Sequence, residues 1–307
     1  MTMRDLDKTS GDAAPAARHT LPARRLWPVR AAMILLVALA GTAAFVLADW
    51  LMLTPQSADE RAIAYERSER RMRATLGLAL PGTPDLANLS GRLAEHGLSP
   101  GAPVLIRIFK REFELEMWMK RDGVFHRFAT YPVCRWSGRL GPKIKQGDRQ
   151  APEGFYAVTR EALNPNSRWY RSFNVGFPNA YDRAQGRTGT FLMVHGGCAS
   201  VGCFAMTNAQ MDEIWRLVTA AFDGGQANVQ VQIYPFRMSE EKLNTYKGHP
   251  EEAFWRDLKT GNDLFEATLL PPNVHLCRGR YGFSGPGQAA TASPEMTGRC
   301  PQASTKN

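Results

Sequence analysis

The chain has 307 residues, 44% hydrophobic and 22% charged, an ordinary globular composition with ample length for one or two cored domains. Its net charge of +9 suits an acidic polymer or an anionic surface. No zinc-finger, RNA-recognition or helix-turn-helix pattern accompanies that charge, so no nucleic-acid partner is expected.

Residues 1–30 are polar, rich in Ala, Arg and Pro, and read as a disordered basic cytoplasmic tail. Residues 31–53 open with an uncharged apolar run, 31–48, preceded by Arg18, Arg24, Arg25 and Arg30. A span of about 20 apolar residues crosses a bilayer core, and upstream arginines keep the N-terminus cytoplasmic. The segment therefore reads as a single-pass inner-membrane anchor. A cleaved signal is the alternative, because Val46-Leu47-Ala48 resembles a small-residue cleavage site. Either reading places the rest of the chain in the periplasm.

Residues 54–103 read as a helical stalk or linker. Positions 58–76 are heavily charged with sparse apolar residues, which predicts an exposed helix. Residues 85–96 predict a short second helix with Leu86, Leu89 and Leu93 on one face and Gly97 as its stop. The pattern then turns to strands at 104–109, 115–119 and 124–131, the last two joined by a turn at Arg121-Asp122-Gly123. Further strands are expected at 154–158 and 190–194. A helix capped by Thr207, with Gln210 completing a capping box, carries Met211, Ile214, Trp215, Val218 and Phe222 as its apolar stripe. A period-two strand follows at 229–233. Residues 238–276 read as a helical extension, and 277–307, rich in Gly, Pro and Ser, as a disordered tail.

The run from His195 to Met206 concentrates the chemistry. His195 closes the 190–194 strand, and Cys203 follows Gly202 just ahead of the capped helix. A thiol is a poor nucleophile until its proton leaves, and a histidine partner lowers its pKa. Cys203 is thus the candidate nucleophile and His195 its base and later acid. Backbone N–H groups around Gly202 and Cys203, with the first turn of the following helix, are candidate oxyanion donors. Ser200 is expected to support the turn or the histidine. Arg183 and Arg187, shortly before the His195 strand, are candidate carboxylate binders. Lys143 and Arg135 are weaker ones, and Tyr131 and Trp136 could wall a groove.

The five cysteines leave alternatives open. Outside the cytoplasm thiols pair, and an odd number leaves at least one over. Cys134–Cys198 and Cys277–Cys300 are candidate disulfides. A zinc site formed by His195, Cys198, Cys203 and Cys134 competes with the nucleophile reading, although the second paired ligand set is missing.

The Ser200-Val201-Gly202-Cys203-Phe204-Ala205-Met206 segment, with His195-Gly196 upstream, resembles the catalytic motif of the L,D-transpeptidase (YkuD-like) family, and its compact spacing resembles the YafK-like branch. Matching blocks extend from about Arg107 to Tyr234, among them Tyr131 to Gly138, Ala151 to Tyr156, Leu163 to Ser167 and Phe177 to Arg183. The resemblance implies an α+β fold with a mainly β catalytic domain over 104–237. It implies a thiol that attacks peptidoglycan stem peptides through a thioester, with no cofactor or metal. It also implies a possible role of that branch in hydrolysing the peptidoglycan link to an outer-membrane lipoprotein. Val201 stands where many members carry a second histidine and Ala205 where many carry an arginine, which leaves hydrolysis open beside crosslinking. A catalytically inactive cell-wall binding module is the reading from another class.

Overall fold

The computed structural model describes the backbone of residues 27–51 and 55–286, with side chains for 31–44 and 58–285. The chain divides into two units, Met1–Leu53 and Thr54–Asn307. The first contains helix α1 (Trp27–Leu51), whose described side chains, 31–44, are all exposed. Among the described residues no helix is long and apolar enough to cross a membrane. Of the expected tail at 1–30, residues 1–26 lie outside the described residues and 27–30 begin α1; the side chains at 45–53 also lie outside the described residues.

The second unit opens with α2 (Pro55–Thr75) and α3 (Leu89–Glu95). The charged helix predicted at 58–76 forms, but it is not a free stalk. Asp59, Ile63 and Arg70 are buried, and Ile63 joins the main hydrophobic core. Asp59 accepts hydrogen bonds from Arg111 Nε at 2.6 Å, Lys242 Nζ at 2.5 Å and the Tyr246 hydroxyl. Arg70 donates to the Val133 carbonyl at 3.2 Å. A docking face made of two charged residues and one isoleucine carries little apolar periodicity, so hydrophobic pattern alone reads it as solvated.

The segment 104–237 supplies β1 (Val104–Phe109), β2 (Glu114–Arg121), β3 (Val124–Pro132) and β4 (Gly154–Thr159). It continues with β5 (Leu163–Asn164), β6 (Ser172–Asn174), α4 (Ala180–Ala184), β7 (Met193–His195), β8 (Phe204–Ala205), α5 (Asn208–Asp223) and β9 (Asn228–Tyr234). Beyond it lie α6 (Glu240–Asn244), α7 (Glu252–Thr268), β10 (Pro272–Cys277) and β11 (Arg280–Pro286). The result is a mixed α+β fold, as expected. One five-stranded sheet runs β3-β2-β1-β9-β4, and a second, four-stranded, runs β5-β6-β7-β8.

Local chemistry explains the first sheet. The β2–β3 connection is two residues, Asp122 and Gly123, both at positive φ, the geometry that matches the right-handed twist of a hairpin. β9 lies between β1 and β4 and is buried on both faces, so its V-Q-V-Q-I alternation does not mark a solvent face. Instead the glutamines bond one another and their surroundings. Gln232 donates to Gln230 at 2.8 Å, Tyr234 donates to Gln232 at 2.9 Å, and Gln230 donates to the Pro272 carbonyl at 3.2 Å. Pairing of this kind is what permits amides to be buried.

The first part of the segment expected to be a disordered tail, 277–307, is ordered, and residues 287–307 lie outside the described residues. Residues 280–286 pair with 272–277 in a two-stranded hairpin. Tyr281 stacks on Tyr181 at 4.2 Å between ring centroids, and its hydroxyl accepts from Asn179 Nδ2 at 2.9 Å. α7 meets this hairpin at Gly261, where an added Cβ would collide with the Phe155 and Phe283 rings. The glycine in mid-helix is thus required by close approach.

Candidate active site

The second sheet positions the thiol and the imidazole. β7 and β8 are parallel, with Val194 opposite Phe204 and His195 opposite Ala205. Extending that register by one residue sets Met193 beside Cys203. Alternate residues of a strand share a face, so Cys203 and His195 project from the same side of the sheet. Both line one cleft of about 800 Å³.

Each group is held by backbone. His195 is buried, and its Nδ1 lies 2.5 Å from the Gly196 carbonyl. That bond requires the proton on Nδ1, which leaves Nε2 as the acceptor. The Cys203 thiol is half-buried and donates to the Phe191 carbonyl at 3.6 Å rather than to the imidazole. Burial raises its pKa, while the Met193 N–H and the Lys143 ammonium act the other way. Burial lowers the His195 pKa, partly offset by the Gly196 bond. The resting pair is therefore neutral thiol beside neutral imidazole. Desolvation disfavours both charged forms, whereas the sequence reading has the histidine lowering the thiol pKa.

Ser200 Oγ donates to the Cys203 carbonyl at 2.6 Å and lies 3.3 Å from Ser137 Oγ. The Gly202 N–H donates to Ser137 Oγ. That N–H is occupied, which argues against Gly202 as an oxyanion donor. Gly202 has φ of +121°, a conformation other residues rarely adopt, so its role here is to shape the turn into Cys203. The helix starts at the expected cap, but not directly after the cysteine. β8 intervenes between Cys203 and α5. The predicted capping box is present, with Thr207 and Gln210 exchanging hydrogen bonds at the α5 N-terminus. Asn208 accepts from the Gly197 N–H at 2.8 Å and so ties the catalytic loop to the helix.

The two predicted carboxylate binders lie elsewhere. Arg187 is buried, ion-paired to Asp182 at 2.9 Å and stacked over Phe254 and Tyr181. Arg183 is exposed and donates to the Pro178 carbonyl at 2.5 Å. Neither lines the cleft. Arg187 is corrected to a structural role, packed against Phe254 of α7, and Arg183 to an exposed position bonded to its own loop. Tyr131 and Trp136 are core residues; Tyr131 donates to Glu213 at 2.6 Å and Trp136 lies under the Arg67 guanidinium at 4.2 Å.

Three arginines do line the cleft: Arg71 of α2, Arg135 and Arg168. Sequence reasoning singled out Arg135 only weakly and the other two not at all, because Arg71 reaches the site from a helix 132 positions upstream of Cys203 in the numbering. Trp169, its ring centroid 6.1 Å from that of His195, and Ser172, opposite His195 across β6 and β7, are also in the cleft wall. Strand β6 is three residues long and has no periodicity to betray it.

Cys134 and Cys198 form a disulfide, and Cys277 is also disulfide-bonded. Cys300 lies outside the described residues. With two of its three thiols oxidised, the alternative zinc site is not available, and among the described residues no cluster of His, Cys, Asp and Glu could hold a metal. Among the described residues Cys203 is the free thiol.

Comparison with known proteins agrees with this geometry. The YkuD domain, an L,D-transpeptidase catalytic domain, matches residues 104–233. The L,D-transpeptidase-family protein YafK of Escherichia coli strain K12 is 47% identical over 196 residues, which cover 64% of this chain and 80% of that protein. YafK of strain O157:H7 matches to the same extent. The crystal structure of the helical cell shape determining protein Pgp2 of Campylobacter jejuni aligns with a TM-score of 0.36 and 20% identity, covering 52% of this chain and 60% of that one. With a matched segment that runs from β1 to β9 and encloses the cysteine, the histidine and both sheets, the chain belongs to the YkuD family of L,D-transpeptidase catalytic domains.

Proposed function

We propose that the protein is a periplasmic cysteine acyltransferase that acts on peptidoglycan stem peptides through a thioester on Cys203. The observation that carries this reading is the Cys203 thiol, free in an open cleft on the same sheet face as an imidazole whose Nδ1 is tied to Gly196. As Cys203 Sγ attacks the amide carbonyl, its proton passes to His195 Nε2. The tetrahedral intermediate collapses, the C–N bond breaks and His195 returns the proton to the leaving amine. An acceptor amine, or water, then attacks the thioester with His195 as base.

A neutral resting pair suits this order of events. The thiol gives up its proton when the substrate displaces water, and no ion pair has to be broken first. The Cys134–Cys198 bridge supports an oxidising compartment. The arginine-flanked apolar run at 31–48 supports a membrane tether with the catalytic domain outside.

Transfer to water, releasing stem peptides or a peptidoglycan-linked lipoprotein, is the second reading. It is favoured by Ala205, fully buried where many family members carry an arginine. Incubation of the full-length protein with purified sacculi, followed by separation of the muropeptides, tests both. New crosslinks indicate transfer and freed stems indicate hydrolysis. Cys203→Ala is expected to abolish either product while keeping its melting temperature. Unchanged product from that variant contradicts the assignment, and a wild-type protein that binds sacculi without altering them is a binding module.

A further inference from the structure

Helix α2 sorts its arginines by direction. Arg70 pairs with Glu66 and Arg73 with Glu69, each at 3.0 Å. Among the described residues Arg67 and Arg71 have no such carboxylate; Arg67 Nη2 donates to the Gly138 carbonyl at 2.6 Å. They stand four residues apart, where like charges destabilise a helix. Both face Arg135 across a groove of about 510 Å³, which shares Arg71, Thr75 and Arg135 with the thiol cleft. The Nε atoms of Arg67 and Arg135 are buried with no hydrogen-bond partner among the described residues. Burial, then repulsion from Arg135, holds the Arg67 guanidinium below its usual pKa.

Arg135 is fixed beside the nucleophile. Its N–H donates to the Ala205 carbonyl at 3.1 Å and its carbonyl accepts from the Ala205 N–H at 2.8 Å. Its neighbour Cys134 is bridged to Cys198 on the catalytic loop. Two covalent or hydrogen-bonded ties thus hold one cation within two residues, across the strand pair, of Cys203. Arg168, also in the cleft wall, has no carboxylate partner among the described residues. Clustered guanidinium groups with unused N–H donors and no counter-charge are what a carboxylate satisfies, through paired hydrogen bonds.

We propose that Arg71 of α2 and Arg135 form a carboxylate-binding subsite that selects acyl donors carrying a free carboxylate near the scissile amide. The helix that precedes the family's catalytic segment thereby completes the active site. The inference rests on the acyl-transfer reading for the nature of its ligand, so its test has an arm that needs no turnover.

In that arm the full-length protein is alkylated at Cys203 with iodoacetate or with iodoacetamide, and the modified peptide is quantified by mass spectrometry. The neutral reagent controls for folding and thiol ionisation. The ratio of iodoacetate to iodoacetamide rate is expected to exceed that of N-acetylcysteine by about tenfold and to fall with salt. In Arg71→Gln/Arg135→Gln it is expected to drop to the free-thiol value, while Arg71→Lys/Arg135→Lys retains a raised ratio. A wild-type ratio equal to that of N-acetylcysteine, or one unchanged in the Gln variant, overturns the subsite. In the second arm kcat/KM is compared for a stem tetrapeptide with its side-chain carboxylate free or amidated. Preference for the free acid, lost in the Gln variant, supports the proposal. Turnover with no preference overturns it and leaves acyl transfer intact. An iodoacetate preference without turnover of either peptide upholds the anion subsite and defeats the acyl-transfer reading.

Discussion

At the scale of single residues, the site is governed by desolvation. Cys203 and His195 are both buried enough for their neutral forms to dominate, the thiol shifted up and the imidazole shifted down. The pH dependence follows from those signs. Alkylation of Cys203 by iodoacetamide should rise only above the ordinary thiol range, with no plateau at acid pH. Acyl transfer needs an unprotonated imidazole, so its acidic limb should fall below 6.5, the ordinary histidine value. Alkylation already at its plateau at pH 6 would indicate a preformed thiolate–imidazolium pair and contradict this account. The residues of the site separate into those legible in the sequence and those that only the fold reveals. Cys203 and His195 could be read because a glycine-rich loop joins them within nine positions. Arg71, Trp169 and Ser172 could not, because no local spacing connects them to the loop. Arg183 and Arg187 misled for the opposite reason: nearness in sequence to β7 is not nearness to its catalytic face, and Asp182 claims Arg187.

At the scale of elements, the decisive one is α2. Its propensity for helix is visible in its alanines, glutamates and arginines, but its docking is not, since its buried positions are mostly polar. Burial raises the Asp59 carboxyl, but hydrogen bonds from Arg111, Lys242 and Tyr246 outweigh it and hold the pKa below the usual carboxylate value. A depressed folded pKa contributes stability above the unfolded value of about 3.9, lost as pH falls through the folded value. Asp59→Asn is therefore expected to lower stability at pH 7 by about 1–3 kcal/mol. The difference from wild type should shrink below about pH 4 in chemical denaturation. An unchanged midpoint at pH 7 would show that α2 is held by other contacts. β1, β3 and α5, by contrast, match their sequence patterns closely, because each has a strong local signal: a β-branched run, a turn with two positive φ values, and a capping box. β9 matched in place but not in kind. Its Gln230 bonds the Pro272 carbonyl of a hairpin whose first strand falls at the end of the expected helical extension, 238–276, and whose second falls in the expected disordered tail; the extension is corrected to helix followed by strand.

At the scale of the molecule, the unit from residue 54 onward shares one main core. Ile63 of α2, Leu93 of α3, the catalytic sheets, Trp255 of α7 and Tyr281 of β11 all belong to it. The family segment, 104–233, is thus flanked on both sides by elements packed against it, and one of them brings arginines to the cleft. The bridge joins Cys134 to Cys198, 64 positions apart, and among the described residues Cys203 is the free thiol left for chemistry. The central claim is that this sulfur carries the acyl group. The most direct measurement is acid quenching of the full-length protein during turnover of a stem tetrapeptide, followed by peptide mass mapping. The account predicts a mass increase on the Cys203 peptide equal to the acyl fragment, reversed by hydroxylamine. Steady turnover with Cys203 unmodified at every time point, and retained in Cys203→Ala, would contradict it.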